Sequence, residues 1–152
     1  MSCLLFNLAI EPLATTLHNS NLRGYEIPGN EEKLIANLFA DNTTTFLAED
    51  DSIGELKSIL DRWCRASTAK FNIQKTENIP IGSEDYQRKV IEQCKTNENG
   101  EEIPEEWHIV KDGKAIKILR AWVGNKVEMG GIWAPLVERI DTALEKWEKL
   151  TP

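Results

Sequence analysis

The sequence lacks the features that mark several classes of protein. Its cysteines are few and far apart: Cys3, Cys64 and Cys94 form no pair with zinc-ligand spacing. Free thiols in a reducing, intracellular compartment are therefore expected. No apolar run approaches the roughly 20 residues of a membrane-spanning helix, so we predict no membrane partner. An excess of basic residues is missing too, since 25 acidic against 18 basic residues give a net charge of −7.

This acidic balance argues against a simple nucleic-acid binder, which usually presents a basic patch. It leaves open a site that holds metal ions, because such sites are themselves acidic. The 152 residues, 41% of them apolar, suffice for one domain with its own core. The patterns along the chain run helix, hairpin, helix, strand, helix, hairpin, helix. This order predicts an α+β fold with a mainly antiparallel sheet.

A helix, a two-stranded hairpin and a second helix are predicted in the first half of the chain. Apolar residues spaced by three and four predict a mostly buried helix from Ser2 to about residue 18, kinked or broken at Pro12. Residues 34–39 and 43–47 favour two strands joined by a turn at residues 40–42. Further on, the capping-box residue Ser52 and the apolar stripe after it predict an amphipathic helix.

The second half alternates extended and helical patterns. Residues 70–83 are predicted to be extended, and Ser83 to cap a further helix. Residues 107–110 and 115–123 are predicted to pair as a hairpin across a strong Asp-Gly turn signal at residues 112–113. Pro135 is a favourable first helical residue, and the apolar spacing after it predicts an amphipathic last helix with its charged face outward.

The segment LFADN, residues 38–42, is the best candidate for chemistry. A carboxylate at a tight turn between two strands is held rigidly. Such placement suits Mg²⁺, because this ion demands near-octahedral oxygen geometry. Asp41 and Asn42 are also ordinary turn-forming residues, so the segment taken alone more simply predicts a hairpin tip.

Taken in order, several blocks resemble the reverse transcriptases of LINE-type (non-LTR) retrotransposons, particularly those of fungi. The stretch SCLLFN resembles the start of the family's helix after a Gln-Gly-x-Pro-x-Ser segment, and Phe39-Ala40-Asp41-Asn42 resembles its aromatic-Ala-Asp-Asp hairpin. The stretch LDRWCRASTAKFNIQKTE resembles the next helix and an extended segment with a lysine, here Lys75. The stretch IKILRAWVGN resembles the hairpin that grips the primer end, and the last helix resembles the start of the thumb.

The resemblance implies a partial polymerase palm over residues 1–124 and a linker with the first thumb helix over residues 125–152. In the family, two Mg²⁺ ions stabilise the attack of a primer 3′-hydroxyl on a dNTP, with an RNA template and a DNA primer as partners. Asp41 would be a catalytic metal ligand, Asn42 would occupy the second Asp position, and Lys75 would contact or protonate the leaving pyrophosphate. The resemblance also implies a nuclear location, although the chain has no Lys/Arg cluster to direct it there. The implied primer grip comprises Leu119, Arg120, Ala121 and Trp122.

The sequence departs from the family pattern at three points. Met1 stands inside the first motif, so we expect the fingers and the earlier palm strand, with its metal-binding Asp, to be missing. Asn42 replaces the second Asp and removes a negative charge. At about 4 Å and an effective dielectric near 20, that charge against a divalent ion is worth roughly 8 kcal/mol before desolvation offsets it. Arg120 stands where relatives often have Gly, which permits close backbone approach.

We therefore expect a truncated reverse transcriptase, an RNA-directed DNA polymerase domain with a degenerate active site and no polymerase activity of its own. Two alternatives stay open. The chain could be part of an active enzyme whose N-terminal motifs are encoded upstream, or a non-catalytic interaction module on the same scaffold. A missing palm strand would also expose a sheet edge near residues 34–47, so self-association through that edge is expected.

Overall fold

The computed structural model describes residues 2–29, 32–97, 101–119 and 121–148. Within these ranges it combines helices with short strands, which confirms the α+β class. The elements in chain order are α1 (Ser2–His18), β1 (Tyr25–Glu26), β2 (Lys33–Leu34), β3 (Ala36–Phe39), β4 (Asn42–Thr45), α2 (Ile53–Ser67), a 3₁₀ turn (Ile73–Lys75), β5 (Glu77–Asn78), α3 (Glu84–Gln93), β6 (His108–Ile109), β7 (Ile116–Ile118), β8 (Ala121–Val123) and α4 (Met129–Glu148).

The strands in the described ranges form four two-stranded sheets. The pairs β1–β2, β3–β4 and β7–β8 are antiparallel, whereas β5 and β6 pair in parallel. Pairing is therefore mainly antiparallel, as predicted. These ladders do not join into one continuous sheet within the part of the chain that the structure describes.

The main core lies between the second half of α1 and one face of α2. Its buried members are Leu13, Leu17, Leu22, Ile35, Leu56 and Ile59, and partly buried Trp63 and Phe71 pack against it with their ring centroids 5.6 Å apart. The predicted bounds of α1 are confirmed, and the helix continues through Pro12 without a break. The prediction that α1 is mostly buried is wrong. Its first half exposes large apolar side chains, with Leu4 66%, Leu5 64% and Leu8 64% exposed.

The start of α2 is fixed by a cap, as the sequence predicts. The Ser52 hydroxyl accepts a hydrogen bond from the backbone N–H of Glu55 at 3.0 Å. Ile53, Leu56 and Ile59 form the buried stripe. Fully burying such a side chain stabilises the fold by about 1.5–3 kcal/mol, so this stripe is what holds α2 in place.

A second, smaller core cluster joins α2, α3 and the segment before β6. It contains buried Ile53, Val90 and Ile103. The predicted cap of α3 is confirmed, since the Ser83 hydroxyl accepts from the N–H of Tyr86 at 3.3 Å. Ile103 reaches this cluster although the sequence around it is polar and acidic.

The predicted pairing across residues 112–113 is wrong. Residues 108–109 instead pair in parallel with Glu77–Asn78, and the antiparallel hairpin is β7–β8, with its tip after Ile118. Asp112 and Gly113 still form a turn. The Asp-Gly signal is local and correctly marks that turn, but it contains no information on the distant residues with which the preceding strand pairs.

The last helix begins earlier than predicted. It starts at Met129, so Pro135 lies inside α4 rather than at its first position. The spacing of apolar residues is helical, as expected. Every α4 side chain that the structure describes is exposed, including the apolar ones, so this helix has no core of its own to face.

Candidate functional site

The β3–β4 hairpin holds the two residues that the sequence singles out. Phe39 pairs with Asn42, which leaves a two-residue tip of Ala40 and Asp41. The Ala40 backbone has a φ of 49°, in the left-handed region that favours Gly or Asn over residues with a Cβ. The hairpin is confirmed, but the expected turn is one residue too long, because Asn42 belongs to β4 and to its ladder.

Around this tip, the side chains of Phe39, Ala40, Asp41 and Asn42 are all exposed. Along β3 exposure alternates, and only the half-buried Ala36 and Leu38 face inward. The ladder thus anchors the hairpin on α1 and presents its tip to solvent. A carboxylate in this position is accessible to solvent and lies directly before the first paired residue of β4.

The donor set at the tip does not fit a two-magnesium centre. In residues 2–29, 32–97, 101–119 and 121–148, no group of three or more His, Cys, Asp or Glu side chains could hold a metal ion. Asp41 offers one carboxylate, and Asn42 offers a neutral amide oxygen. Two-metal catalysis needs several carboxylates around ions about 3.5–4 Å apart.

Lys75 lies elsewhere in the fold. The prediction of an extended segment is wrong here, because Lys75 ends the 3₁₀ turn Ile73–Lys75, where its backbone N–H donates to Asn72 O at 3.0 Å. The turn leads directly into β5, whose ladder partner is β6. The exposed Lys75 side chain makes no ion pair or hydrogen bond with Asp41 or Asn42 in the described structure.

The implied primer grip falls on the tip of the β7–β8 hairpin. Leu119 has a φ of 55° and is 43% exposed, and Trp122 is also 43% exposed. Ala121 is exposed, and Arg120 lies outside the described residues. The Lys117 ammonium lies 5.8 Å from the centroid of the Trp122 ring, within cation–π range. This hairpin therefore presents an aromatic ring and a cation together on its surface.

Sequence reasoning missed Asp51, a buried carboxylate that accepts three backbone hydrogen bonds. It is 7% exposed. One of its oxygens accepts the backbone N–H of Arg23 at 2.7 Å, and the other accepts those of Gly24 at 2.9 Å and Ala48 at 2.8 Å. It thereby joins the chain after α1 to the chain after β4. An Asp directly before an N-cap Ser only weakly indicates a structural role. The local sequence does not show that its partners lie 27 and 28 residues away.

A second carboxylate supports the N-terminus of α2. Glu101 accepts a hydrogen bond from the Ser52 hydroxyl at 2.7 Å and another from the backbone N–H of Gly54. Glu55 in turn accepts from the N–H of Asn21 at 3.0 Å. Negative charge is favourable at the N-terminus of a helix, so these carboxylates stabilise the start of α2. The same positions are therefore not open to a bound anion.

Ion pairs at the surface shift the pKa values of two groups near Asp51, those of Asp50 and Arg23. Hydrogen bonding to the Arg23 guanidinium lowers the pKa of the Asp50 carboxyl below its ordinary value. The hydrogen bond to the Glu26 carboxylate, followed by the one to Asp50, raises the pKa of Arg23. Both pairs are solvent-exposed, and exposed pairs of this kind contribute little to stability.

Searches against protein-family models, curated proteins and solved structures returned no match for this chain. None of the helices in the described residues is both long and apolar enough to cross a membrane.

Proposed function

We propose that this chain is a segment of a reverse-transcriptase palm, of the non-LTR retrotransposon type, that does not polymerise nucleotides on its own. The observation that carries the proposal is the exposed Asp41 at the tip of the β3–β4 hairpin, within the block Phe39-Ala40-Asp41-Asn42. In this family the corresponding aromatic-Ala-Asp-Asp block forms a hairpin with its carboxylates at the tip.

The proposed lack of activity follows from the donor chemistry of the tip. One carboxylate and one neutral amide cannot hold two divalent ions in register, because Mg²⁺ takes charged oxygen ligands and loses its waters reluctantly. Lys75 and Asp41 belong to different parts of the fold. Within the described residues, the other Asp and Glu side chains form no group of three or more that could hold a metal ion.

The β7–β8 hairpin is the surface that we propose for contact with nucleic acid. Trp122 and Lys117 together offer a stacking surface and a cation, the two groups that single-stranded nucleic acids favour. The net charge of −7 makes such binding weak and sensitive to salt.

Primer extension tests the proposal. The purified full chain is incubated with an RNA template, a DNA primer and dNTPs in Mg²⁺ or Mn²⁺, and no extension is expected. Asn42→Asp in the same chain should not restore extension, because it supplies only one further carboxylate. Extension by the wild-type chain that Asp41→Ala abolishes would overturn the proposal.

A further inference from the structure

Strand β4 is an open edge of its sheet. In the described ranges this sheet contains β3 and β4 alone, and α1 packs against β3. No described strand pairs with the outer side of β4, the side that faces away from β3. Open edges present backbone N–H and C=O groups with which another strand can pair. The outer side of β4 is therefore a place where a further strand can be added.

The hydrogen-bond pattern of the hairpin shows which backbone groups lie on the outer side of β4. The N–H of Phe46 donates to the C=O of Ile35 at 2.8 Å, in the same register as the ladder. Hydrogen-bonded and non-hydrogen-bonded pairs alternate along an antiparallel ladder. Thr44 is therefore in a hydrogen-bonded pair, whereas Thr43 and Thr45 are in non-hydrogen-bonded pairs. The N–H and C=O groups of Thr43 and Thr45 consequently point away from β3.

These outward N–H and C=O groups accept or donate no hydrogen bond within the part of the chain that the structure describes. Thr43, Thr44 and Thr45 are nevertheless half-buried. A backbone polar group that is withdrawn from water without a partner costs free energy comparable to a lost hydrogen bond. An antiparallel strand on the outer side of β4 would supply a partner for each of them.

The composition of β4 leaves this edge unprotected. Natural edge strands are commonly blocked by Lys, by Pro or by an inward-pointing charge. The sequence of β4 is Asn-Thr-Thr-Thr, which contains none of these and is rich in β-branched residues that favour extended backbone. A second β4 strand placed alongside therefore brings no like charge opposite the first.

We propose that β4 pairs antiparallel with β4 of a second copy of this chain, about a two-fold axis at Thr44. Thr43 of each copy then lies opposite Thr45 of the other, and these two residues exchange both backbone hydrogen bonds. The two Thr44 residues face each other as a non-hydrogen-bonded pair, with Cα atoms about 4.5 Å apart. The product is a four-stranded antiparallel sheet in the order β3–β4–β4–β3.

The arrangement of the outward groups favours a second copy as the partner. Because Thr43 and Thr45 lie one residue on each side of Thr44, a two-fold axis there places every outward N–H opposite an outward C=O. Cross-strand Thr–Thr pairs are themselves favourable. Two-fold pairing uses the β4 edge of both copies, so assembly closes at a dimer. This pairing involves backbone groups and does not depend on a polymerase origin of the hairpin.

Sedimentation velocity of the full chain over a concentration series is the first test. The interface is small, so we expect a weak dimer with a dissociation constant of about 100 μM. Amide hydrogen exchange followed by NMR locates the contact. Exchange at Thr43 and Thr45 should become slower as the concentration rises, because their N–H groups acquire partners only in the dimer.

Thr45→Pro removes one outward N–H from each copy and no bond of the β3–β4 ladder. It should raise the dissociation constant at least about tenfold, because two of the intermolecular hydrogen bonds are lost. The matched control is Ala36→Pro. Ala36 is the ladder partner of Thr45, and its N–H points outward on the opposite edge, so its replacement should leave the dissociation constant unchanged. Far-ultraviolet circular dichroism establishes that both variants fold.

Charge pairing at the two-fold axis tests the register without the use of proline. Thr44→Lys and Thr44→Glu each place like charges opposite each other and should each raise the dissociation constant about tenfold at low salt. An equimolar mixture of the two variants should dimerise at least as tightly as the wild type. Asn37→Lys, opposite Thr44 within the hairpin, is the control and should have no effect.

Three results would overturn the proposal. The first is a wild-type chain that stays monomeric up to about 1 mM. The second is a dimer that Thr45→Pro and Ala36→Pro weaken equally or not at all. The third is a mixture of Thr44→Lys and Thr44→Glu that dimerises no more tightly than either variant alone, since the axis would then not lie at Thr44.

Discussion

Replacing Asp51 by Asn tests how the chain after α1 is attached to the chain before α2. Asp51 is 7% exposed, and its carboxylate accepts hydrogen bonds from three backbone N–H groups, at 2.7, 2.8 and 2.9 Å. An amide of the same shape has one oxygen. Whichever way it turns, its NH₂ group faces at least one backbone N–H that previously had an acceptor.

The expected cost comes from those contacts. Hydrogen bonds to a charged acceptor contribute about 1.5–3 kcal/mol each, and a buried donor left unsatisfied costs about 1–3 kcal/mol. Because the three bonds share one side chain, they are not additive. Asp51→Asn should therefore lower the free energy of unfolding by about 2–4 kcal/mol, a large share of the 5–15 kcal/mol of a typical domain. Asp51→Ala should cost somewhat more.

Urea unfolding followed by circular dichroism measures this change, with Asp50→Asn as the matched control. Asp50 is the neighbouring residue and is also hydrogen-bonded, to Arg23 at 2.8 Å, but its side chain is 59% exposed. The control should leave the unfolding midpoint unchanged. Equal effects at the two positions would refute the reasoning, because burial of the carboxylate would then make no difference.

Three further predictions concern the same region. Gly24→Ala should destabilise the fold by at least about 2 kcal/mol in urea unfolding, because Gly24 has a φ of 65° and a Cβ there would lie 2.5 Å from a carbonyl oxygen; wild-type stability would contradict this. Leu17→Ala should cost about 2–5 kcal/mol, since Leu17 is 0% exposed, whereas exposed Leu5→Ala should cost little; similar losses would show that α1 is not packed as described. The pKa of Asp50, followed by carbon NMR, should lie below its ordinary value and rise in Arg23→Gln; an unchanged pKa would mean that the ion pair does not form in solution. Because the folded-state pKa is lowered, this small stabilisation is present at neutral pH and is lost as the pH falls through that value.

Local signals predicted the helices best. Ser52 and Ser83 both cap the helices that they were expected to cap, because an N-cap bond joins residues three apart and is fully specified by local sequence. The β3–β4 hairpin was likewise predictable, since a short turn joins two segments rich in aliphatic, aromatic or β-branched residues. Its exact turn length was not, because Asp41 and Asn42 are both acceptable turn residues.

Contacts between distant residues could not be predicted. The parallel pairing of β5 with β6 could not be predicted from the Asp-Gly signal, because that signal specifies only the turn at residues 112–113 and not the distant strand with which residues 108–109 pair. The burial of α1 was overestimated because its apolar residues cover more than one side, and among the α1 side chains whose burial the structure describes, only Leu13 and Leu17 are buried. Asp51 was missed because two of the backbone N–H groups from which it accepts hydrogen bonds, those of Arg23 and Gly24, are distant from it along the chain.

At the candidate site, the sequence predicted the hairpin that carries Asp41, whereas the extended backbone predicted around Lys75 was wrong. That lysine follows residues that look extended, but their backbone turns into one 3₁₀ turn before β5. A single turn of this kind changes the direction in which the following side chains point. Amino-acid composition predicts such short turns poorly.

The most direct test of the central claim is Mn²⁺ titration followed by electron paramagnetic resonance. The wild-type chain should hold no tight pair of ions, since Asp41 alone supplies charge at the hairpin tip. Asn42→Asp should strengthen Mn²⁺ binding at least about tenfold by adding a charge beside Asp41. The matched control Asn37→Asp, on an exposed position of the same hairpin, should not. Tight binding of two coupled ions by the wild type, or equal effects of the two substitutions, would contradict the account.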